Sequence, residues 1–183
     1  MNAAAAADLS IPVALRAGQH PDEVARACVR MVRRWQHNPW VVLTTRAELS
    51  ELRPRHLTQT EYQSGSWVPF ALWSWARSLT FFREPAGKGL AGEVIQSLPI
   101  TVAVGGGDCD DIATALGTMA GALGFPVAIG RLVTRPGFAH VFCGVGRTWF
   151  DESLSWALDP EIQEGPVPAG SRVGTRWFHV SKS

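Results

Sequence analysis

The chain has 183 residues, 46% apolar and 18% charged, with eight Trp and a formal net charge of +1. Length and apolar content together allow one domain with a substantial core. So small a charge imbalance gives no electrostatic case for nucleic acid or an anionic membrane as partner. No stretch reaches the roughly 20 apolar residues of a membrane-spanning helix.

The Ala3–Ala7 run has no basic flank and meets Asp8 at once, so it does not read as a secretory signal. Residues 1–20 are expected to be a disordered leader, 21–183 a single domain, and the location cytoplasmic. From Asp22 to Trp35 the apolar Val24, Cys28, Met31, Val32 and Trp35 fall at helical spacing, and Asn38-Pro39 ends the helix. Residues 44–66 are polar and contain Pro54, which predicts a loop. A second helix is expected over about Pro69–Leu79, with Pro69 in its first turn and an extended exit through Thr80 and Phe81. Gly87, Gly89 and Gly92 mark a flexible loop, with Gln96 placed in it. After Gly105-Gly106-Gly107, the apolar Ile112, Leu116, Met119 and Leu123 predict a central helix. Asp108 is its expected N-cap, Asp111 sits where the acid of a capping box would stand, and Gly124 with Pro126 supplies the stop. Then come β-rich runs at Val127–Val133, Ala139–Val145 and Thr148–Glu152, the last two joined by a Gly146-Arg147 turn. A loop from Glu161 to Ser171 precedes an edge strand over Arg176–Val180. Helices followed by an antiparallel sheet make an α+β domain.

Cys28, Cys109 and Cys143 are the only cysteines, and none forms a CxxC pair. This excludes a disulfide framework and a four-cysteine zinc site, and neither metal nor cofactor is expected. Cys28 falls on the apolar stripe of the first helix and reads as core. Cys109 opens the central helix, where unpaired backbone N–H groups and the positive end of the helix dipole favour a thiolate and can hold an oxyanion. The glycine triplet leaves its approach open. Asp108, Asp110 and Asp111 oppose the thiolate by charge, although successive helical side chains diverge by about 100°. Strand alternation puts His140 and Phe142 on one face and Val141 and Cys143 on the other, so Cys143 also reads as core. With Gly146-Arg147 as the turn, Asp151 falls on the face of His140, one diagonal step away.

At these residues the sequence resembles the bacterial and phage branch of the transglutaminase-like cysteine protease superfamily. The resemblance runs from about Phe70 to Leu154, within a core of about 70–160. Gly107-Asp108-Cys109-Asp110-Asp111 resembles the nucleophile motif. Phe138-Ala139-His140-Val141-Phe142 resembles the histidine strand, and Trp149 to Leu154 the element carrying the third member. It implies a papain-like fold, with the N-terminal helices and a Cys-bearing central helix packed on an antiparallel sheet, and a catalytic set of Cys109, His140 and Asp151. Asp159, which precedes Pro160 as the motif's acid does, is the alternative to Asp151. A second oxyanion donor would come from Trp73, Trp75 or Gln96, although both Trp also suit core packing.

What the resemblance implies is thiol chemistry on amide bonds of a protein or peptide through a thioester acyl-enzyme, hydrolytic ahead of cross-linking. The competing expectation is a non-catalytic module that keeps the fold for assembly with a protein partner. Such a partner would be a phage structural protein, and the chain would be virion-associated if phage-encoded; Trp156 and Trp177 could then form a binding surface. A metal set of Cys109, Asp110 and His140 is a third, weaker reading. His56 and His179 read as structural or surface residues.

Overall fold

The computed structural model describes residues 10–13, 22–81, 93–135, 138–145 and 176–180, with the backbone alone for 10–13, 93, 132–135 and 138–140. Helix α1 (Asp22–Trp35) carries acids in its first turn and Arg33 and Arg34 in its last, the arrangement that complements the helix dipole. It buries Val24, Cys28, Met31 and Val32, as the spacing predicts. Asn38 then starts a new helix rather than a loop. Its side chain accepts from the Trp40 N–H at 2.9 Å, with Pro39 in the first turn of α2 (Pro39–Leu52). The predicted loop over 44–66 is therefore corrected. It contains the rest of α2 and a further helix, α3 (Gln59–Ser64), opened by a Thr58/Glu61 capping box. The polar sequence misleads because α2 buries only a narrow stripe of Val41, Thr45 and Leu49.

Helix α4 (Val68–Ser78) matches its prediction and buries Leu72, Trp75 and Ala76. Also beyond the sequence reading are β1 (Ser10–Val13), β3 (Glu93–Gln96) and α5 (Leu98–Val104). Strands β1 and β3 pair antiparallel, so residues 10–13 form a strand and Gln96 belongs to one. Strand β2 (Thr80–Phe81) pairs in parallel with β4 (Gly106–Gly107).

Helix α6 (Cys109–Ala122) is the centre of the fold. Every residue from Asp110 to Ala120 is buried, and the helix packs on α1, α2, α4 and α5 and on β3 and β4. Its stop is the predicted one. Gly124 takes φ 81°, its N–H bonds Gly121 O at 2.9 Å, and Phe125 N–H bonds Ala120 O at 3.1 Å, a Schellman closure. The predicted start fails in part. Asp108 occupies the N-cap but its side chain makes no capping bond, so the box with Asp111 does not form.

Strand β5 (Val127–Arg135) is central in an antiparallel sheet between β6 (Phe138–Val145) and β7 (Arg176–Val180), the predicted edge strand. Val127, Ile129, Val141, Cys143 and Val145 join the helices in one hydrophobic cluster. In the opposite parity, Phe142 lies over Gly130 and meets Trp177 edge-on at 5.1 Å. The architecture is α+β. No helix among the described residues is long and apolar enough to cross a membrane. The glycines 87, 89 and 92, the 146–147 turn, the run 148–152, Trp156 and the 161–171 loop lie outside the described residues.

A buried ion cluster ties α1 to this sheet. Arg131 on β5 donates from Nε to Asp22 Oδ1 at 3.0 Å and from a terminal nitrogen to the same oxygen. Arg176 on β7 reaches Asp22 Oδ2 at 2.5 Å. Burial works to raise the Asp22 pKa, but the hydrogen bonds and charges of the two arginines bring it below the usual carboxylate value. Asp22→Asn is expected to cost about 3 kcal/mol at pH 7, near the low end for removing one partner of a buried ion pair. A depressed carboxylate contributes stability above its unfolded pKa and loses it as pH falls through the folded one. Urea unfolding from pH 7 downward is therefore expected to show the gap to wild type closing below pH 3.8.

Candidate active site

Helix α5 ends at Gly105, whose φ of 79° suits glycine alone. The chain then passes through β4 and enters α6 at Cys109. Gly106 and Gly107 are buried, and the space beyond their Cα atoms is occupied. A Cβ on Gly106 would lie 1.9 Å from the Thr80 carbonyl oxygen, and one on Gly107 would lie 2.5 Å from Asp111 Cβ. The glycines therefore permit close packing; the open approach expected from the triplet is corrected at these two positions.

Cys109 is half-buried, whereas Cys28 and Cys143 are buried. Burial, reinforced for Cys28 by the Asp110 charge, pushes both buried thiols well above their ordinary range. Both are inert core residues, as the helical and strand patterns predict. At the start of α6 the first-turn N–H groups have no acceptor within the helix, and the Asp108 side chain does not cap them.

The three acids around Cys109 converge. Asp108, Asp110 and Asp111 are 9%, 1% and 0% exposed, and one carboxylate oxygen from each lies within 4.8 Å of the others. Divergence by helical steps fails because Asp108 precedes the helix in an extended conformation. Asp111 accepts from the Gln96 backbone N–H and from Gln96 Nε2, each at 2.7 Å. Gln96 therefore engages Asp111 through both its backbone and its side-chain amide. Burial first, then the hydrogen bond to Asp108 and the charges of Asp108, Asp111 and Cys109, hold Asp110 well above the usual carboxylate range. The shift favours its neutral form. Oδ1 of Asp108 and Oδ1 of Asp110 are buried without hydrogen-bond partners among the described residues. Such a set of hard oxygens suits either shared protons or a divalent cation.

Of the remaining predicted residues, His140 lies opposite Leu132 in the β5–β6 ladder. It keeps the parity of Phe142, and it is the other parity, with Val141 and Cys143, that joins the helices in the hydrophobic cluster. The ladder is irregular between Val133 and Arg135, close to this pair. Asp151 and Asp159 lie outside the described residues. Trp75 is core; Trp73 is half-buried beneath Arg77, with its Nε1 buried and without an acceptor among the described residues. His179 is exposed on β7, and its carbonyl accepts from Arg33 at 3.1 Å. His56 is also exposed. Sequence reasoning does not anticipate the Gln96–Asp111 clamp: no periodicity or motif links residues that far apart in sequence.

Comparison with protein-family models, with curated proteins and with solved structures finds no match to this chain.

Gly107→Ala drives a methyl group into Asp111, and overpacking of that kind costs about 2–3 kcal/mol. Gly105→Ala meets open space at a positive φ and is expected to cost about 1 kcal/mol. Urea unfolding of the two variants checks that order.

Proposed function

We propose that this protein is a thiol enzyme of transglutaminase-like, papain-like architecture that cleaves amide bonds in a protein or peptide. The observation that carries the reading is the placement of Cys109. It is the one cysteine of the three that is not fully buried, and it opens a helix whose first-turn N–H groups are left uncapped by the Asp108 side chain. In the proposed reaction Cys109 Sγ attacks the amide carbonyl carbon, and the helix-start N–H groups receive the oxyanion. His140 takes the thiol proton and delivers it to the leaving amine, so the C–N bond breaks and a thioester forms. His140 then removes a proton from water, which attacks the thioester and frees the acid and the thiol. Asp151, or Asp159, orients the imidazole. Trp73 Nε1, which has no acceptor among the described residues, is a candidate for a second oxyanion donor. Capture of the thioester by an amine instead of water would make the reaction a cross-link.

On β6, Val141, Cys143 and Val145 join the cluster with the helices, and His140 stands one residue before Val141. Exposed Trp40, Leu43 and Phe70 favour the competing reading, a non-catalytic module that meets a protein partner.

Iodoacetamide at pH 7 is expected to alkylate Cys109 and to spare Cys28 and Cys143, as mapped by peptide mass spectrometry. Cys109→Ala and His140→Ala are each expected to lower casein cleavage by about 100-fold or more. A Cys109 that resists alkylation, or a Cys109→Ala variant that cleaves like wild type, would remove the thiol mechanism. Full activity in His140→Ala would remove His140 from it. Incorporation of a fluorescent amine into casein would move the reaction from hydrolysis to transfer.

A further inference from the structure

We infer that Gln96 is a positioning residue for the Cys109 site, acting through Asp111; the inference rests on Cys109 being the nucleophile. Asp111 lies two residues after Cys109 in the same helical turn and is fully buried. Each of its carboxylate oxygens takes one donor from Gln96: Oδ1 the backbone N–H and Oδ2 the side-chain amide, both at 2.7 Å. Two short bonds from one residue to both oxygens of a carboxylate define its orientation as well as its position. On its far side the carboxylate meets Gly107, where a Cβ would fall 2.7 Å from Oδ2. Asp111 is thus wedged between β3 and β4.

This clamp replaces the missing cap. The Asp108 side chain makes no capping bond to the first-turn N–H groups of α6, and the part-buried pair of bonds from β3 holds that turn in place. The position of the turn decides where Cys109 Sγ stands relative to the backbone N–H groups that would receive an oxyanion. A shift of about 1 Å in such a geometry costs on the order of 100-fold in rate. Gln96 acts on the turn through Asp111. It also chains the site to the N-terminal strand, because Gln96 pairs with Ser10 in the β1–β3 ladder.

The test compares Gln96→Leu, Gln96→Glu and the double variant Gln96→Glu with Asp111→Asn against wild type in the full chain. The readouts are the rate of Cys109 alkylation by iodoacetamide, casein cleavage and Tm. Gln96→Leu removes the donor without adding charge and is expected to slow both reactions about tenfold in protein that remains folded. Gln96→Glu sets two carboxylates against each other and is expected to slow them further. In the double variant donor and acceptor trade places. The new amide nitrogen at position 111 donates to the new carboxylate at position 96, and the backbone N–H of position 96 still meets the amide oxygen. Rates within about threefold of wild type are then expected. A pure charge effect would leave Gln96→Leu at the wild-type rate, and a purely structural one would lower Tm while sparing the rates of folded protein; either result overturns the inference. So does a double variant no faster than Gln96→Glu. If wild-type Cys109 reacts no faster than the thiol of an unstructured cysteine peptide, the nucleophile reading fails instead. Non-additive Tm changes across the Gln96→Glu, Asp111→Asn cycle would then still report the clamp.

Discussion

The burial of α6 on every side is the constraint from which the rest of the structure follows. A helix with no solvent face cannot carry the usual polar stripe, so it is built from Ala113, Ala115, Gly117, Ala120 and Gly121 between larger residues. The small positions let neighbours come close. A Cβ on Gly121 would fall 2.4 Å from Gln36 Oε1, and one on Gly117 would fall 3.2 Å from both Val32 and Val127. The helices α1, α2, α4 and α5 and the strands from β3 to β6 are thus arranged around a single rod. Even the hydroxyl of Thr118, in the middle of the rod, is satisfied within it, donating to the Thr114 carbonyl at 2.7 Å.

Burying the rod also buries the acids at its start, which sets up an electrostatic contest around Cys109. A helix N-terminus stabilises an anion by about 0.3–1 kcal/mol, and up to about 2 in partly buried geometries. Two unit charges about 4 Å apart interact by roughly 4 kcal/mol at an effective dielectric near 20. Three ionised carboxylates would therefore outweigh the dipole. Burial, the hydrogen bond to Asp108 and the neighbouring charges raise the Asp110 pKa well above the usual carboxylate range, which favours its neutral form. Asp111 accepts two hydrogen bonds from Gln96. The acids beside Cys109 thus stand in different surroundings, and adding up formal charges misjudges them.

How much of this is legible depends on how local the signal is. The apolar spacing of α1 and α6, the Pro69 start of α4 and the Gly124 stop are written within single helical turns, and they stand in the structure where the pattern puts them. Strand alternation correctly puts Cys143 in the core. Helix α2 escapes although its Asn38-Pro39 start is plain, because the same dipeptide also ends α1. Strand β3 and helix α5 follow a glycine-rich stretch whose composition masks the short run Val94 to Leu98. The Asp108 cap fails for a different reason. An N-cap preference assumes the carboxylate has nothing better to bind, and here a second buried acid at Asp110 competes for it. The Gln96–Asp111 contact has no sequence signature at all, since it is made by folding two separate elements together.

The glycine run ahead of Cys109 shows how a motif can be right in position and wrong in reason. Glycines before a helix suggest room for a ligand, as in phosphate-binding loops. At Gly106 the missing side chain instead admits the Thr80 carbonyl of the parallel neighbour strand, and at Gly107 it admits the Asp111 carboxylate. Only Gly105 is chosen for its backbone, turning the chain at φ 79° with nothing near its Cα. The space these residues free is filled by the protein itself. The two-residue parallel pairing of β2 with β4 is held by backbone hydrogen bonding, and at Gly107 β4 packs against Asp111 in the first turn of α6. Whatever disturbs β4 should be felt at the cysteine before it is felt in the hydrophobic cluster.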